Sequence, residues 1–178
     1  MIQQWPGPGN ETSIQQSELY SDALQILLFL NTQYIHHSIQ NRLLVMLARE
    51  QGTCRVLGEY MVYSLNRQND TNVLVQLHQL LVTVFSSPTT CRFFYKTDLQ
   101  VIIDVLVRRL TNSDHVELVH SALHVWSPLL KNSQWRETKY GKIELVRVLQ
   151  DIQAHSHNQE SSRLASLVLE ECHVLLQY

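Results

Sequence analysis

Between Val73 and Leu110 apolar residues fall at helical spacing twice over, separated by one proline-marked turn, and that pattern leaves little room for any fold not built of packed helices. Val73, Leu74, Leu77, Leu80, Leu81 and Val84 leave Gln76, Gln79 and Thr83 as a narrow polar stripe, so the first of these helices is expected to be buried over most of its circumference. Ser86-Ser87-Pro88 ends it, because a proline pushes the residue before it out of the helical region. Cys91 to Tyr95 then forms a short wedge in which Phe93, Phe94 and Tyr95 carry a large apolar area. Thr97, with Gln100 three residues on, fits a capping box, and Asp98 suits the positive end of the helix dipole. In the helix that follows, Leu99, Ile102, Ile103, Leu106 and Leu110 form the core face and Val101 and Val105 widen it. Gln100, Asp104 and Arg108 remain on a solvent stripe, where Asp104 and Arg108 are expected to pair at i,i+4.

The rest of the chain is consistent with that beginning. Of five glycines only Gly52, Gly58 and Gly141 lie beyond the first ten residues, and Pro6 and Pro8 are likewise in that lead, so tight hairpins are scarce and an all-α fold is expected. At 178 residues the chain is about one domain and long enough to bury a core. A formal charge of −2 supplies no basic excess for phosphate backbones, which disfavours nucleic acid as a partner. No apolar run approaches the ~18–20 residues of a membrane span, and no charged-then-apolar leader is evident. Cys54, Cys91 and Cys172 are odd in number and widely spaced, which agrees with an intracellular protein.

Punctuation divides the chain into an irregular lead over 1–17 and a single α-helical domain over 18–178. Helices are predicted at 18–31, 37–50, 53–66, 72–86, 97–111, 114–131, 139–153 and 159–176, with a short turn or helix at 89–95. Short connections make consecutive helices antiparallel neighbours. No strict sequence repeat is visible. Helices of similar length with wide apolar faces suit an irregular armadillo or HEAT-like stack, and a closed helical bundle fits the same pattern.

The run from "FSSPTT" through "FFYKTDLQVIIDVLVRRL" resembles the leucine-rich, armadillo-like domain of the NCK-interacting protein with SH3 domain and its fungal relatives, the WISH/DIP/Ldb family. "WSPLLKNSQW" and "SSRLASLVLEECHVLL" resemble later helices of the same domain, and the similarity spans Leu19 to the C-terminus. The resemblance implies the stack rather than the bundle. It also implies a non-enzymatic partner of the actin-related protein 2/3 complex, of the kind that promotes nucleation of unbranched actin filaments in the cytoplasm. The SH3 domain and proline-rich region of the longer relatives have no counterpart in this sequence, and neither a cofactor nor a metal is expected.

Chemical motifs are sparse. His120 and His124 stand at i,i+4 with Glu117 one turn earlier, a ligand-like face, but the general-base glutamate of HExxH is missing and no fourth ligand is placed by spacing; a polar face with two half-buried imidazoles is the stronger reading. His155 and His157, and His36-His37, read as exposed loop residues. Cys172 and His173 cannot act together, because adjacent residues on a helix point about 100° apart. Phosphate-binding glycine loops, GxSxG and CxxC are all absent from the sequence.

Cations and aromatics carry the binding expectation. Arg92 and Lys96 precede the 97–111 helix and Arg108 and Arg109 end it, ~18 Å apart along the axis, so two small groups are expected rather than one patch. Cations in a last turn also offset the helix dipole, and that is the stronger reading of Arg108 and Arg109. Lys131, Trp135, Arg136, Lys139, Tyr140, Lys142 and Arg147 cluster in and beside "KNSQWRETKYGK", where Trp135 and its cations either face a partner or form a solvated loop with the indole folded inward.

Overall fold

The computed structural model describes residues 11–37, 39–50 and 54–176, and among them the chain is helical with no strand. The helices are α1 (Glu11–His36), α2 (Arg42–Arg49), α3 (Arg55–Arg67), α4 (Thr71–Ser86), α5 (Lys96–Asn112), α6 (Val116–Asn132), α7 (Trp135–Thr138), α8 (Lys142–His155), α9 (Gln159–Glu171) and α10 (His173–Leu176). The expected lead over 1–17 is helical from Glu11 onward, and residues 1–10 lie outside the described residues. Cys172, whose backbone leaves helical geometry, divides the expected 159–176 helix.

The helices form two rows. α1, α4, α6 and α9 pack side by side in that order, and α3, α5 and α8 form the second row, each pair bridging to the next. The ends of the first row share no extensive packing, so the arrangement is a stack and not a closed bundle.

A structural repeat underlies it that the residue letters do not display. Three helix pairs, α3/α4, α5/α6 and α8/α9, are each joined by three extended or turn residues: Gln68-Asn69-Asp70, Ser113-Asp114-His115 and Ser156-His157-Asn158. In every turn the side chain of the first residue accepts from the backbone N–H of the third: Asp70 N to Gln68 Oε1 at 3.0 Å, His115 N to Ser113 Oγ at 3.2 Å and Asn158 N to Ser156 Oγ at 3.2 Å. The third residue is also the N-cap of the next helix. Asp70 and Asn158 accept from N–H groups of the first turns of α4 and α9, whereas His115 makes no side-chain cap for α6. Turns recurring at the ~40–47-residue spacing of HEAT and armadillo units are what a stack of helix pairs requires.

The second pair begins differently from its sequence reading. Thr97 is not the N-cap of α5; Tyr95 is, in extended conformation and without a side-chain cap. Asp98, third residue of the helix, reaches back to the Tyr95 backbone, which is the reciprocal half of a capping box. Phe94, buried against Phe85 at a ring separation of 5.7 Å, fixes where the chain enters α5, with the N-cap two residues earlier than the Thr97 pattern suggested. The core face is as expected, with Leu99, Ile102, Ile103, Leu106 and Leu110 all buried; Val105 widens it, but Val101 is 38% exposed.

Two measurements test this packing. Leu106 is fully buried, so Leu106→Ala is expected to cost about 2–5 kcal/mol in denaturant unfolding through lost contacts and a residual cavity. His78, fully buried, pairs Nδ1 with Ser121 Oγ at 2.8 Å across α4 and α6; burial first, and then the Arg109 charge, lower its pKa from 6.5 to about 3. The unfolded ring takes up a proton below about pH 6.5 while the folded ring stays neutral, so the His78 contribution is whole above that pH. It is lost at about 1.4 kcal/mol per unit as pH falls toward 3. Unfolding midpoints of the parent should therefore drop more between pH 7.5 and 5 than those of His78→Gln.

Candidate protein-interaction surfaces

The 133–141 connection, richest in candidate contacts, is built around one indole. Trp135 is fully buried and donates from Nε1 to the Tyr140 carbonyl at 2.8 Å, while Ser133 Oγ accepts from the Trp135 backbone N–H at 3.1 Å. Gln134 Nε2 donates to the Phe94 carbonyl at 3.3 Å and ties the loop to the aromatic turn before α5. Trp135 is thus a core residue, and its candidacy as a surface contact is corrected: the loop is too short to close without filling its own centre. Closure also needs two left-handed residues, Lys139 at φ 48° and Gly141 at φ 66°.

Around this loop the structure gathers cations that the sequence separates. Lys96 Nζ lies 2.7 Å from Glu137 Oε2 and Arg92 Nη2 lies 3.8 Å from Oε1, so both ends of the aromatic turn converge on one carboxylate of α7. The Lys96 hydrogen bond, then its charge, hold the Glu137 carboxyl below the usual carboxylate range, with a smaller push from Arg92. Arg136 and Lys139 are exposed on the same short segment, and Arg136 reaches the Lys131 carbonyl at 3.5 Å. Lys131 is turned elsewhere, onto Glu171 at 2.6 Å, a carboxylate that also accepts from Ser127. Arg147 sits apart, with Asp151 and His155 in a cleft of α8.

Arg108 and Arg109 occupy the far end of α5, as the two-group expectation had it. The Asp104–Arg108 pair does not form. Asp104 accepts from Tyr140 Oη at 3.1 Å, and Arg108 Nη2 donates to Asn66 Oδ1 at 2.8 Å, because the neighbouring pair offers a better-placed partner than the next turn of the same helix. Arg109 Nη2 donates to the Gln68 carbonyl at 2.8 Å.

The histidine face has a structural task. His120 Nε2 lies 3.0 Å from Ser161 Oγ and 3.2 Å from Asn158 Oδ1, joining α6 to the N-terminus of α9. Among the described residues no group of three His, Cys, Asp or Glu side chains is placed to hold a metal. His120 and His124 line a groove of about 450 Å³ between α4 and α6, with Ile35, Val75 and Val82 on its apolar side, a surface that sequence reasoning missed because its walls come from three separate helices. The Cys172 and Cys54 thiols are pushed up by burial, away from nucleophilic character. No helix among the described residues is long and apolar enough to cross a membrane.

A two-row stack of helix pairs defines a helical-repeat domain. Residues 16–145 match the SPIN90/Ldb17 leucine-rich domain, and the chain belongs to that family. Protein LDB17 of Saccharomyces cerevisiae is 32% identical over 142 residues, covering 74% of this chain and 29% of that protein. Protein dip1 of Schizosaccharomyces pombe is 27% identical over 137 residues, covering 74% of this chain and 37% of that protein. Protein LDB17 of Eremothecium gossypii is 26% identical over 142 residues, covering 75% and 31%. The chain therefore spans about a third of the length of these relatives. The family match opens in α1, well before the Val73–Leu110 stretch, and closes early in α8.

The loop geometry predicts opposite effects at its two left-handed residues. A Cβ on Gly141 would meet Ile103 Cγ2 at 3.1 Å besides the cost of its φ, so Gly141→Ala is expected to lower stability by about 1–2 kcal/mol or more, while Lys139→Gly raises it by up to about 1 kcal/mol. Thermal unfolding of the two variants against the parent reads both signs.

Proposed function

We propose that this chain is a non-enzymatic interaction domain that binds the actin-related protein 2/3 complex and promotes nucleation of unbranched actin filaments at the cytoplasmic actin cytoskeleton. The observation that carries the reading is the family match over 16–145, which takes in every helix from α2 to α7. The mechanism is one of differential affinity: the domain binds the nucleation-competent arrangement of the complex more tightly than the inactive one, and that difference shifts the population. No bond is made or broken and no cofactor takes part. The contact surface under this reading is the exposed cationic group of Arg92, Lys96, Arg136 and Lys139 around Glu137, held on a loop anchored by the buried Trp135.

A second reading is a docking scaffold that binds the complex without activating it. It rests on the same family match, which covers 29% of LDB17 and 37% of dip1 and so supports a shared docking fold without reaching the rest of either protein.

Fluorescence assembly assays with the complex and actin, without added filaments, separate the two. The intact chain is expected to shorten the lag and give mostly unbranched products. Arg136→Glu with Lys139→Glu should weaken binding about ten-fold while leaving helical signal and unfolding midpoint nearly unchanged, since exposed charges govern association more than stability. Binding without acceleration selects the scaffold; neither binding nor acceleration by the intact chain rejects both readings.

A further inference from the structure

The end of α5 remote from α7 presents a second cationic site of different construction. A cleft of about 380 Å³ lies between the α3–α4 turn and the α5–α6 turn, lined among others by Asn69, Thr71, Arg108, Arg109, Ser113 and His115. We propose that this cleft is a docking site for the carboxylate side chains of an acidic segment of a partner protein. It is independent of the actin reading, whose contacts lie at the other end of α5.

The two guanidiniums are positioned without being neutralised. Arg108 donates to the neutral Asn66 amide and Arg109 to the Gln68 carbonyl, and among the described residues neither is within 4.0 Å of a carboxylate oxygen. Asp114 shares the cleft but pairs with neither. Arg109 is pushed below the usual guanidinium range by burial and by the charge of Arg108 beside it, so like charges adjoin here with no carboxylate paired to either. Its Nε is buried without an acceptor. Each guanidinium carries five N–H donors in a planar fork, and the bonds to Asn66 and Gln68 leave most of them unspent. A fork already held by the neighbouring pair loses little side-chain entropy when a carboxylate arrives.

The lining adds further donors of the right kind. Ser113 Oγ accepts from the His115 backbone and keeps its own hydrogen to donate, and Asn69 and Thr71 bring an amide and a hydroxyl. The first N–H groups of α6 open beside them, since His115 provides no side-chain cap. Carboxylates fit this setting better than a polyanion does. Asp70 and Asp114 stand in the two turns, and a phosphate backbone or anionic sheet would have to bring many charges past them, whereas one or two carboxylates need only the fork.

The test is fluorescence anisotropy with the full chain and a labelled Gly/Ser hexapeptide carrying two Glu residues, beside its two-Gln counterpart and with inorganic phosphate as competitor. The acidic peptide is expected to bind with an affinity that falls as salt rises, and the amide peptide not to bind. Arg108→Gln should weaken binding about ten-fold or more. Arg109→Lys, which keeps the charge and the packing stem but loses the fork, should weaken it less. Arg49→Gln, on the exposed face of α2, should change nothing. Equal binding of the amide peptide, or unaltered binding by a folded Arg108→Gln, would overturn the proposal; displacement of the peptide by low millimolar phosphate would overturn the choice of carboxylate.

Discussion

The packing of α4 along α6 fixes the position of everything else in the stack. Each is the second helix of its pair, so their contact sets the offset between one pair and the next, and α5 is then placed by the turn that ties it to α6. Leu74, Leu77, Leu80, Leu81, Val84 and Phe85 of α4 are all buried, and so are Leu118, Leu123, Val125, Trp126, Leu129 and Leu130 of α6. Apolar burial alone would tolerate sliding. Two polar ties set the register: His78 with Ser121 at the middle of α4, and Asn132 Nδ2 to the Phe85 carbonyl at 2.9 Å near the C-terminal ends of both helices. Ser121 Oγ donates to the Leu118 carbonyl, so its remaining capacity is to accept, which assigns the proton of the neutral His78 ring to Nδ1.

The same logic explains which features were legible in the sequence. Helix positions from α3 to α6 follow from apolar spacing, because a buried face leaves its period in the residues. The pair repeat does not, because Gln68, Ser113 and Ser156 perform one task with different side chains: each lends an oxygen to a backbone N–H two residues on. Any residue with a short-reaching oxygen serves, so selection for the bond leaves no letter pattern. Thr97 misled for the opposite reason. Thr-Asp-Leu-Gln carries a capping pattern in its letters, but burial of Phe94 advances the N-cap by two residues and hands the reciprocal bond to Asp98. A start at Glu11 was hidden because its first residues, Glu-Thr-Ser-Ile-Gln-Gln-Ser, carry no apolar period.

Candidate contacts divide along the same line. That α5 carries cations at two separated ends was readable from spacing and rise per residue alone. Their partners were not, since Glu137, Asn66 and the Gln68 carbonyl come from 41 to 45 positions away in the chain and reach α5 only through the stack. The sequence left Trp135 either facing a partner or folded inward, and the second holds: Tyr140, the other large aromatic of the nine-residue connection, turns out to Asp104 and leaves the centre to the indole.

Separation of the two cationic groups has an energetic consequence. Lys96 and Arg108 lie twelve residues apart on one straight helix, about 18 Å, roughly twice the screening length at physiological salt. Charges at one end therefore contribute little to the potential at the other. α5 is also the most deeply held helix of its row, with seven buried apolar residues between its ends, so a substitution at either exposed terminus has little means of moving the opposite one. The two ends of the helix can consequently evolve separate partners: a rigid, buried centre transmits position without transmitting charge, and a stack of such helices multiplies the number of independent loops it can present.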